Sequence, residues 1–141
     1  MAKNRGFTMI ELLITMAIVG LLAAIAIPTY RQSVLKSNRA DAKITLTRLA
    51  TLEEKYYFRE NNYTANFTDI ISGLTGTVTT TTSDKGYYSI ALTTTGTTAW
   101  TMVATATGNQ LLDTDCKTFT LTNTGSKTAT NSSNAANTSC W

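Results

Sequence analysis

Histidine is absent from this chain of 141 residues, proline occurs once, and cysteine occurs only twice. Without histidine, the side chain most often used for proton transfer near neutral pH, a hydrolase-type nucleophile lacks its usual base. Two cysteines alone do not complete a tetrahedral zinc site. The sequence also contains no glycine-rich phosphate-binding loop. We therefore expect neither an enzyme nor a metalloprotein, and the sequence implies no cofactor.

The acidic residues supply no convincing ligand set either. Asp113 and Asp115 precede Cys116 and offer carboxylate oxygens to a cation, but no further oxygen ligands stand beside them in the sequence. Alternating acids before a turn are more often solvated charge, and we interpret these two in that way.

Positive charge is modest and unevenly placed. The chain has 12 Lys and Arg against 9 Asp and Glu, a formal net charge of +3. Two of the bases, Lys3 and Arg5, belong to the first six residues. From residue 61 onward the bases are Lys85, Lys117 and Lys127, and acids balance them. These three lysines, together with Arg31 to Arg59 on the predicted helix, are the candidates for contact with DNA, although no strong field for nucleic acid is expected.

The first 28 residues carry the strongest signal in the chain. A short basic leader is followed by Gly6 and Phe7, and then by an apolar run that ends at Pro28 and contains one carboxylate, Glu11. A helix over residues 7–27 would extend roughly 32 Å, enough to cross the hydrocarbon core of a bilayer. Such a segment is expected to enter a membrane, to pack among copies of itself, or to be removed.

Two simple interpretations leave features of this segment unexplained. A secretory signal cleaved near residues 24–26 would have a shorter apolar region and no charge in its first turns. A plain membrane anchor, oriented by Lys3 and Arg5 with its N-terminus in the cytoplasm, gives Glu11 no role. A charge at mid-bilayer costs roughly 2.5–3.5 kcal/mol on insertion scales, so an ionisable residue in such a segment indicates a function.

The run Gly6-Phe7-Thr8-Met9-Ile10-Glu11-Leu12-Leu13 resembles the class III signal of type IV pilins and of their pseudopilin relatives. In that family a prepilin peptidase cuts between the glycine and the aromatic residue and then methylates the new N-terminus. The resemblance implies cleavage after Gly6 and N-methylation of Phe7. It also implies that Glu11 acts in assembly by neutralising the amino end of a neighbouring subunit. The motif is specific because glycine, aromatic residue, glutamate and apolar helix must occur together.

A single long helix is predicted for residues 7–59. Its first half is apolar on every face, whereas its second half has one apolar stripe at helical spacing. That stripe comprises Leu35, Ala42, Leu46, Leu49, Leu52 and Tyr56. We interpret the charged residues on its other faces, Arg39 and Glu53 among them, as solvated surface. Gly20 and Pro28 are weak points, and the resemblance implies local melting between them on assembly, with an ordinary proline kink as the alternative.

Strands are predicted in the last part of the chain. Apolar and polar side chains alternate at 87–92, 99–106 and 117–122, and glycines mark the breaks between these segments. Three successive strands with short connections predict an antiparallel meander that lies against the helix. The region before them, 61–84, is interpreted as a connection that ends in a turn at Asp84-Lys85-Gly86.

The predicted fold class is therefore α+β. A long N-terminal helix, hydrophobic in its anchor half and amphipathic in its second half, packs on an antiparallel β-meander. The predicted organisation is a leader peptide at 1–6, a hydrophobic transmembrane or filament-core helix at 7–28, an amphipathic helix at 29–60 and a globular head at 61–141.

The C-terminal stretch, 125–140, is rich in Thr, Ser, Asn and Ala and would be disordered if it were left free. Export, which the resemblance implies, would place Cys116 and Cys140 in an oxidising compartment. There they are expected to form a disulfide that closes a C-terminal loop, with two free thiols as the alternative.

For function, the resemblance implies a structural subunit of a type IV pilus, most similar to a minor pilin of the type IVa pilus, that supports motility, adhesion or DNA uptake. The implied partners are other pilin subunits, a prepilin peptidase and the inner-membrane assembly machinery. Before assembly the subunit would cross the bacterial inner membrane with its head in the periplasm, and afterwards it would lie in the pilus. The alternatives are a DNA-binding or adhesive module that uses Lys85, Lys117 and Lys127, and a pseudopilin of a type II secretion system.

Overall fold

The computed structural model describes residues 6–141, which divide into two compact units. The first unit ends at Val34, and the second is Leu35–Trp141. The expected leader at 1–6 therefore lies, except for Gly6, outside the described residues.

One helix, α1, spans Met9–Glu60. It begins after Thr8, whose Oγ1 accepts a hydrogen bond from the Glu11 N–H at 3.3 Å and so caps the first turn. It ends at Asn61, which adopts a left-handed conformation with φ of 54° and donates its N–H to the Tyr57 carbonyl at 2.8 Å. These bounds agree closely with the predicted helix.

Helical structure continues through both predicted weak points, Gly20 and Pro28. Directly after the proline, the Thr29 hydroxyl donates to the Ile25 carbonyl at 2.9 Å. A Cβ added at Gly20 would meet nothing within 4 Å. Packing within the free chain therefore does not require this glycine, and melting on assembly stays a prediction.

The N-terminal part of α1 is long and apolar enough to cross a membrane, judged by length and composition. Its large apolar side chains are exposed, with Met9 at 80% and Leu21 at 72% of their full accessibility. An apolar surface of this extent is stable only when lipid or other apolar side chains surround it.

The second unit contains an antiparallel sheet whose strands lie side by side in chain order: β1 (Thr80–Thr82), β2 (Tyr88–Thr95), β3 (Ala99–Ala106), β4 (Thr118–Thr122) and β5 (Lys127–Thr130). The predicted α+β class and the antiparallel meander are confirmed. The prediction of three strands was incomplete, because both edge strands were missed. Each of them joins the sheet through backbone pairing, Thr80 opposite Ala91 and Lys127 opposite Leu121, and offers almost no apolar alternation.

The core lies between one face of this sheet and the part of α1 that begins at Leu35. Ala42, Leu46 and Leu49 of the predicted stripe are fully buried, whereas its other members are half-buried. Alternate side chains of the strands cover them, as the two-residue period of a strand requires. These buried strand residues are Tyr88, Ile90, Leu92, Trp100, Met102, Ala104, Ala106, Phe119, Leu121 and Ala129.

The predicted disulfide between Cys116 and Cys140 is confirmed. The C-terminal segment that it fastens, 125–140, has defined structure although Ala129 and Cys140 are its main contribution to the buried core. The Asn131 side chain accepts the Ser133 and Ala135 N–H groups, each at 2.9 Å, and the Asn137 side chain donates to the Asp115 carbonyl at 3.0 Å. Asparagine side chains thus satisfy backbone groups that regular pairing would otherwise have to satisfy.

Two expectations about charged residues are wrong. Asp113 is only 3% exposed and accepts hydrogen bonds from Arg39, at 2.7 Å from Nε and 2.8 Å from Nη2, so it is neither solvated nor a cation ligand. Glu53 is fully buried rather than solvated. The reason lies in helix geometry, because Glu53 follows Leu49 by four positions and Leu46 by seven and so shares their buried face.

Candidate functional site

The residues predicted to be processed and to act in assembly lie together at the start of α1. Gly6 and Phe7 directly precede the helix, and Phe7 is 76% exposed. Glu11 is exposed in the first turn, where its charge is favourable next to the positive end of the helix dipole. Within residues 6–141 its carboxylate has no ion-pair partner. Phe7 and Glu11 are therefore accessible to another molecule.

The structure does not bring the three predicted DNA-contact lysines together. Lys85 lies in the turn between β1 and β2, where its backbone N–H donates to Asp41 Oδ1 at 3.2 Å. Lys127 begins β5 at the opposite edge of the sheet. Lys117 precedes β4, and its backbone N–H donates to the carbonyl of Thr130 in β5 at 2.8 Å. Lys117 and Lys127 thus belong to one pair of strands, and Lys85 does not.

Basic and aromatic side chains gather around Lys127 in what we call the basic–aromatic cluster, formed by Lys43, Phe119, Lys127 and Trp141. The Trp141 ring packs edge-on against Phe119 with 5.7 Å between centroids, and its indole N–H donates to the Thr128 carbonyl at 2.7 Å. Lys127 Nζ lies 5.3 Å from the Trp141 centroid, and Lys43 Nζ lies 5.9 Å from the Phe119 centroid. Cation–π attraction therefore restrains both ammonium groups.

The charges of the cluster are only partly compensated. Burial lowers the pKa of Lys43, and the positive charges of Arg39 and Lys127 lower this pKa further. Arg39 is neutralised by Asp113 at 2.7 Å, with Asp115 at 3.8 Å. In contrast, neither Lys43 nor Lys127 forms an ion pair with an acid in the part of the chain that the structure describes. Two ammonium groups thus repel each other, and neither has an ion-pair partner within residues 6–141.

Such an arrangement favours an anion near the two ammonium groups, because the anion relieves their repulsion. Phosphate groups of a nucleic acid backbone meet this requirement, and the neighbouring indole ring offers a surface for a base or sugar. Sequence reasoning did not single out Lys43. A usable signal existed, because Lys43 precedes Leu46 by three positions and so lies next to the buried face of the helix.

Comparison with known families identifies two matches along the chain. Residues 28–120 match the family described as "Type IV minor pilin ComP, DNA uptake sequence receptor". Residues 1–27 match the prokaryotic N-terminal methylation motif. The first match covers more than half of the chain and includes the amphipathic part of α1, strands β1 to β3 and the first part of β4.

Individual relatives are also type IV pilins by name. The type IV major pilin protein PilA of Myxococcus xanthus is 43% identical over 61 residues, which is 43% of this chain and 28% of PilA. The wide pilus major component PilA4 of Thermus thermophilus is 36% identical over 72 residues, 51% of this chain and 55% of PilA4. The matched regions therefore span between about a quarter and a little over half of these relatives.

A solved structure with similarity to this chain is a type IV pilin from Shewanella oneidensis, with a TM-score of 0.48 and 24% identity over 66% of this chain and 89% of that one. The family match over residues 28–120 and the methylation motif that precedes it carry the assignment. The chain belongs to the type IV pilins, in the family of the type IV minor pilin ComP.

Proposed function

We propose that this chain is a minor type IV pilin whose head binds DNA through the basic–aromatic cluster. The match of residues 28–120 to a family described as a DNA uptake sequence receptor carries the DNA-binding part of this proposal; it includes Lys43 and Phe119 but ends before Lys127 and Trp141. The geometry of the cluster supports it, because Lys127 lies over the Trp141 ring and Lys43 over the Phe119 ring, and neither ammonium group has an ion-pair partner within residues 6–141. Contacts of this kind supply the salt-dependent part of DNA affinity.

Processing and location form part of the same proposal. A prepilin peptidase cleaves after Gly6 and methylates Phe7, and the apolar helix then holds the subunit in the inner membrane with its head in the periplasm. The methylation motif over residues 1–27 supports this order of events. The disulfide between Cys116 and Cys140 also supports it, because disulfides persist in oxidising compartments such as the periplasm.

Assembly depends on Glu11 in this proposal. Among close-packed apolar helices an unpaired carboxylate is costly, and the methylated ammonium group of a neighbour's Phe7 neutralises it. Subunits that lack this pairing cannot enter the filament in the correct axial register. Other pilin subunits and the inner-membrane assembly machinery are therefore the proposed partners.

The DNA-binding part is tested with the full-length chain in detergent micelles and a fluorescent DNA duplex, with affinity measured at several salt concentrations. For Lys43→Ala and Lys127→Ala we expect binding several-fold weaker at low salt. The salt slope should also become smaller by about 1 for each phosphate that the variant no longer neutralises. Lys85→Ala, at the opposite edge of the sheet, is the matched control and should bind as the unmodified chain does.

Two results would contradict the proposal that the basic–aromatic cluster binds DNA. An equal loss of affinity with Lys85→Ala would show that the cluster does not bind the duplex. Absence of binding at low salt would remove the DNA function and leave the structural one.

The assembly part is tested with Glu11→Ala. We expect normal amounts of this variant in the membrane fraction but none in sheared filaments, because insertion does not need the carboxylate and register does. Glu60→Ala changes an exposed acid at the other end of the same helix, and it should assemble normally. Incorporation of Glu11→Ala at the unmodified level would rule out the proposed pairing.

A further inference from the structure

Glu53 is a buried carboxylate without adequate partners. It lies on α1 and is fully inaccessible to solvent. Its Oε2 accepts a single long hydrogen bond, from the Thr64 N–H at 3.5 Å. Its Oε1 has no hydrogen-bond partner within residues 6–141. A carboxylate in this condition is costly when it is charged and far less costly when it is protonated.

The groups around Glu53 increase this cost. The acids among them, Glu54 on α1 and Asp69 on the segment packed against the helix, supply this effect. Tyr56 and Tyr63 lie on the same two elements, and Glu53 helps to raise the pKa of both. Strand β3 contributes an uncharged group, the Trp100 indole, and its N–H donates to Glu54 at 3.4 Å rather than to Glu53.

Two cationic side chains, Lys55 and Arg59, lie in this region, but among the described residues neither pairs with Glu53. Lys55 and Arg59 line a cleft beside Asp69, but neither forms an ion pair in the region that the structure describes. Arg59 instead lies over the Tyr56 ring, 5.8 Å from its centroid. Ionised Glu53 would therefore be repelled by two acids and would have no ion-pair partner among the described residues.

The segment 61–72 depends on this surface. Tyr63 stacks on Tyr57 at 4.5 Å between centroids, and its hydroxyl donates to Glu54 at 3.0 Å. Phe67 is fully buried. The hydrogen bond from the Thr64 backbone links the segment directly to Glu53, and the Thr64 hydroxyl donates to Asp69 at 2.6 Å. A new charge on Glu53 would thus appear at the centre of the contact between segment and helix.

We propose that Glu53 is a proton-dependent latch that holds the segment 61–72 against α1 when it is neutral and releases the segment when it loses its proton. The latch is a property of the head and does not depend on DNA binding. It makes the exposure of the surface between α1 and this segment sensitive to the pH outside the inner membrane.

The direction and size of the effect follow from proton linkage. Burial raises the pKa of Glu53 to about 7, and the neighbouring acids Glu54 and Asp69 act in the same direction. In the open segment the carboxyl returns to an ordinary pKa near 4.5. Opening is therefore least favourable at low pH and becomes more favourable as pH rises towards 7. Between pH 5.5 and 8.5 the opening constant should rise about thirtyfold.

Hydrogen exchange of the full-length chain in detergent micelles tests the latch, with rates corrected for the intrinsic effect of pH. We expect protection of 61–72 to fall about thirtyfold between pH 5.5 and 8.5, whereas Ala99–Ala106 in β3 keeps its protection. In Glu53→Gln the segment should stay protected at both pH values. Asp84→Asn is the matched control, because it removes an exposed acid that does not act on Glu53, and it should keep the pH response.

Protection of 61–72 that does not change with pH, or a pH response that survives in Glu53→Gln, would overturn the proposal. If Glu53→Gln does not fold, the unmodified chain still provides a test of the latch. Carbon-13 NMR of its glutamate carboxyl groups should then show one that titrates near neutral pH and is retained in Glu54→Gln. Titration of every glutamate below pH of about 5 would contradict the latch.

Discussion

The ion pair between Arg39 and Asp113 leads to a quantitative prediction about the head. Arg39→Met keeps much of the aliphatic side chain and removes the guanidinium. Asp113, which is 3% exposed, would then keep only two weaker donors, Gln110 Nε2 at 3.2 Å and the Cys116 N–H at 3.3 Å. Loss of one partner of a buried pair costs about 3–5 kcal/mol, and the remaining donors place the expected loss of unfolding free energy near the lower value. The melting temperature should fall by roughly 10 °C or more.

Urea unfolding of the full-length chain in micelles, followed by the fluorescence of Trp100 and Trp141, measures this loss. Arg48→Met is the matched control. Arg48 pairs with Asp84 at 2.6 Å, but the two side chains are 47% and 53% exposed, so its loss should cost less than about 1 kcal/mol. Equal losses in the two variants, or an Arg39→Met variant within about 0.5 kcal/mol of the unmodified chain, would refute the argument from burial.

Two further predictions concern the covalent and apolar parts of the head. Reduction of the bond between Cys116 and Cys140, which lie 24 positions apart, should lower the unfolding free energy by about 3.5 kcal/mol on the loop-entropy relation. Identical unfolding curves for the oxidised and the reduced protein would contradict this prediction. Leu46→Ala removes a fully buried side chain and should lower the unfolding free energy by about 2–5 kcal/mol. Ile44→Ala changes a side chain that is 63% exposed and should lower it by less than about 0.5 kcal/mol. Similar losses in the two variants would show that the buried face of the helix is misassigned.

Periodicity was sufficient to predict the helix and the central strands. The spacing of Ala42, Leu46 and Leu49 identified the buried helix face, and alternation around Trp100 and Met102 gave β3 with its observed bounds. These signals are strong because the buried side chains recur at the spacing of the helix or strand that contains them. The edge strands lack such a pattern, since β1 consists of threonine alone and β5 contains one buried alanine. Their structure comes from backbone pairing with a neighbour, which no local pattern contains.

The charged residues show a different limit. Arg39 and Asp113 are 74 positions apart, and only the packing of α1 against the segment before β4 brings them together. Lys43 joins Lys127 and Trp141 for the same reason. Glu53 was misassigned because its charge was given more weight than its position, although it continues the spacing of the buried stripe. Residue type predicts the exposure of a side chain only on average. The exposure of a helical residue depends on whether its face of the helix packs against the sheet.

The central claim is that this chain is processed at Phe7 and built into a filament by its N-terminal helix. The intact mass of the protein from sheared filaments tests this claim most directly. We expect one species that lacks residues 1–6, carries one methyl group on the Phe7 amine and contains an intact disulfide. A filament-borne form that begins at any other residue, or the absence of this chain from filaments, would contradict the account.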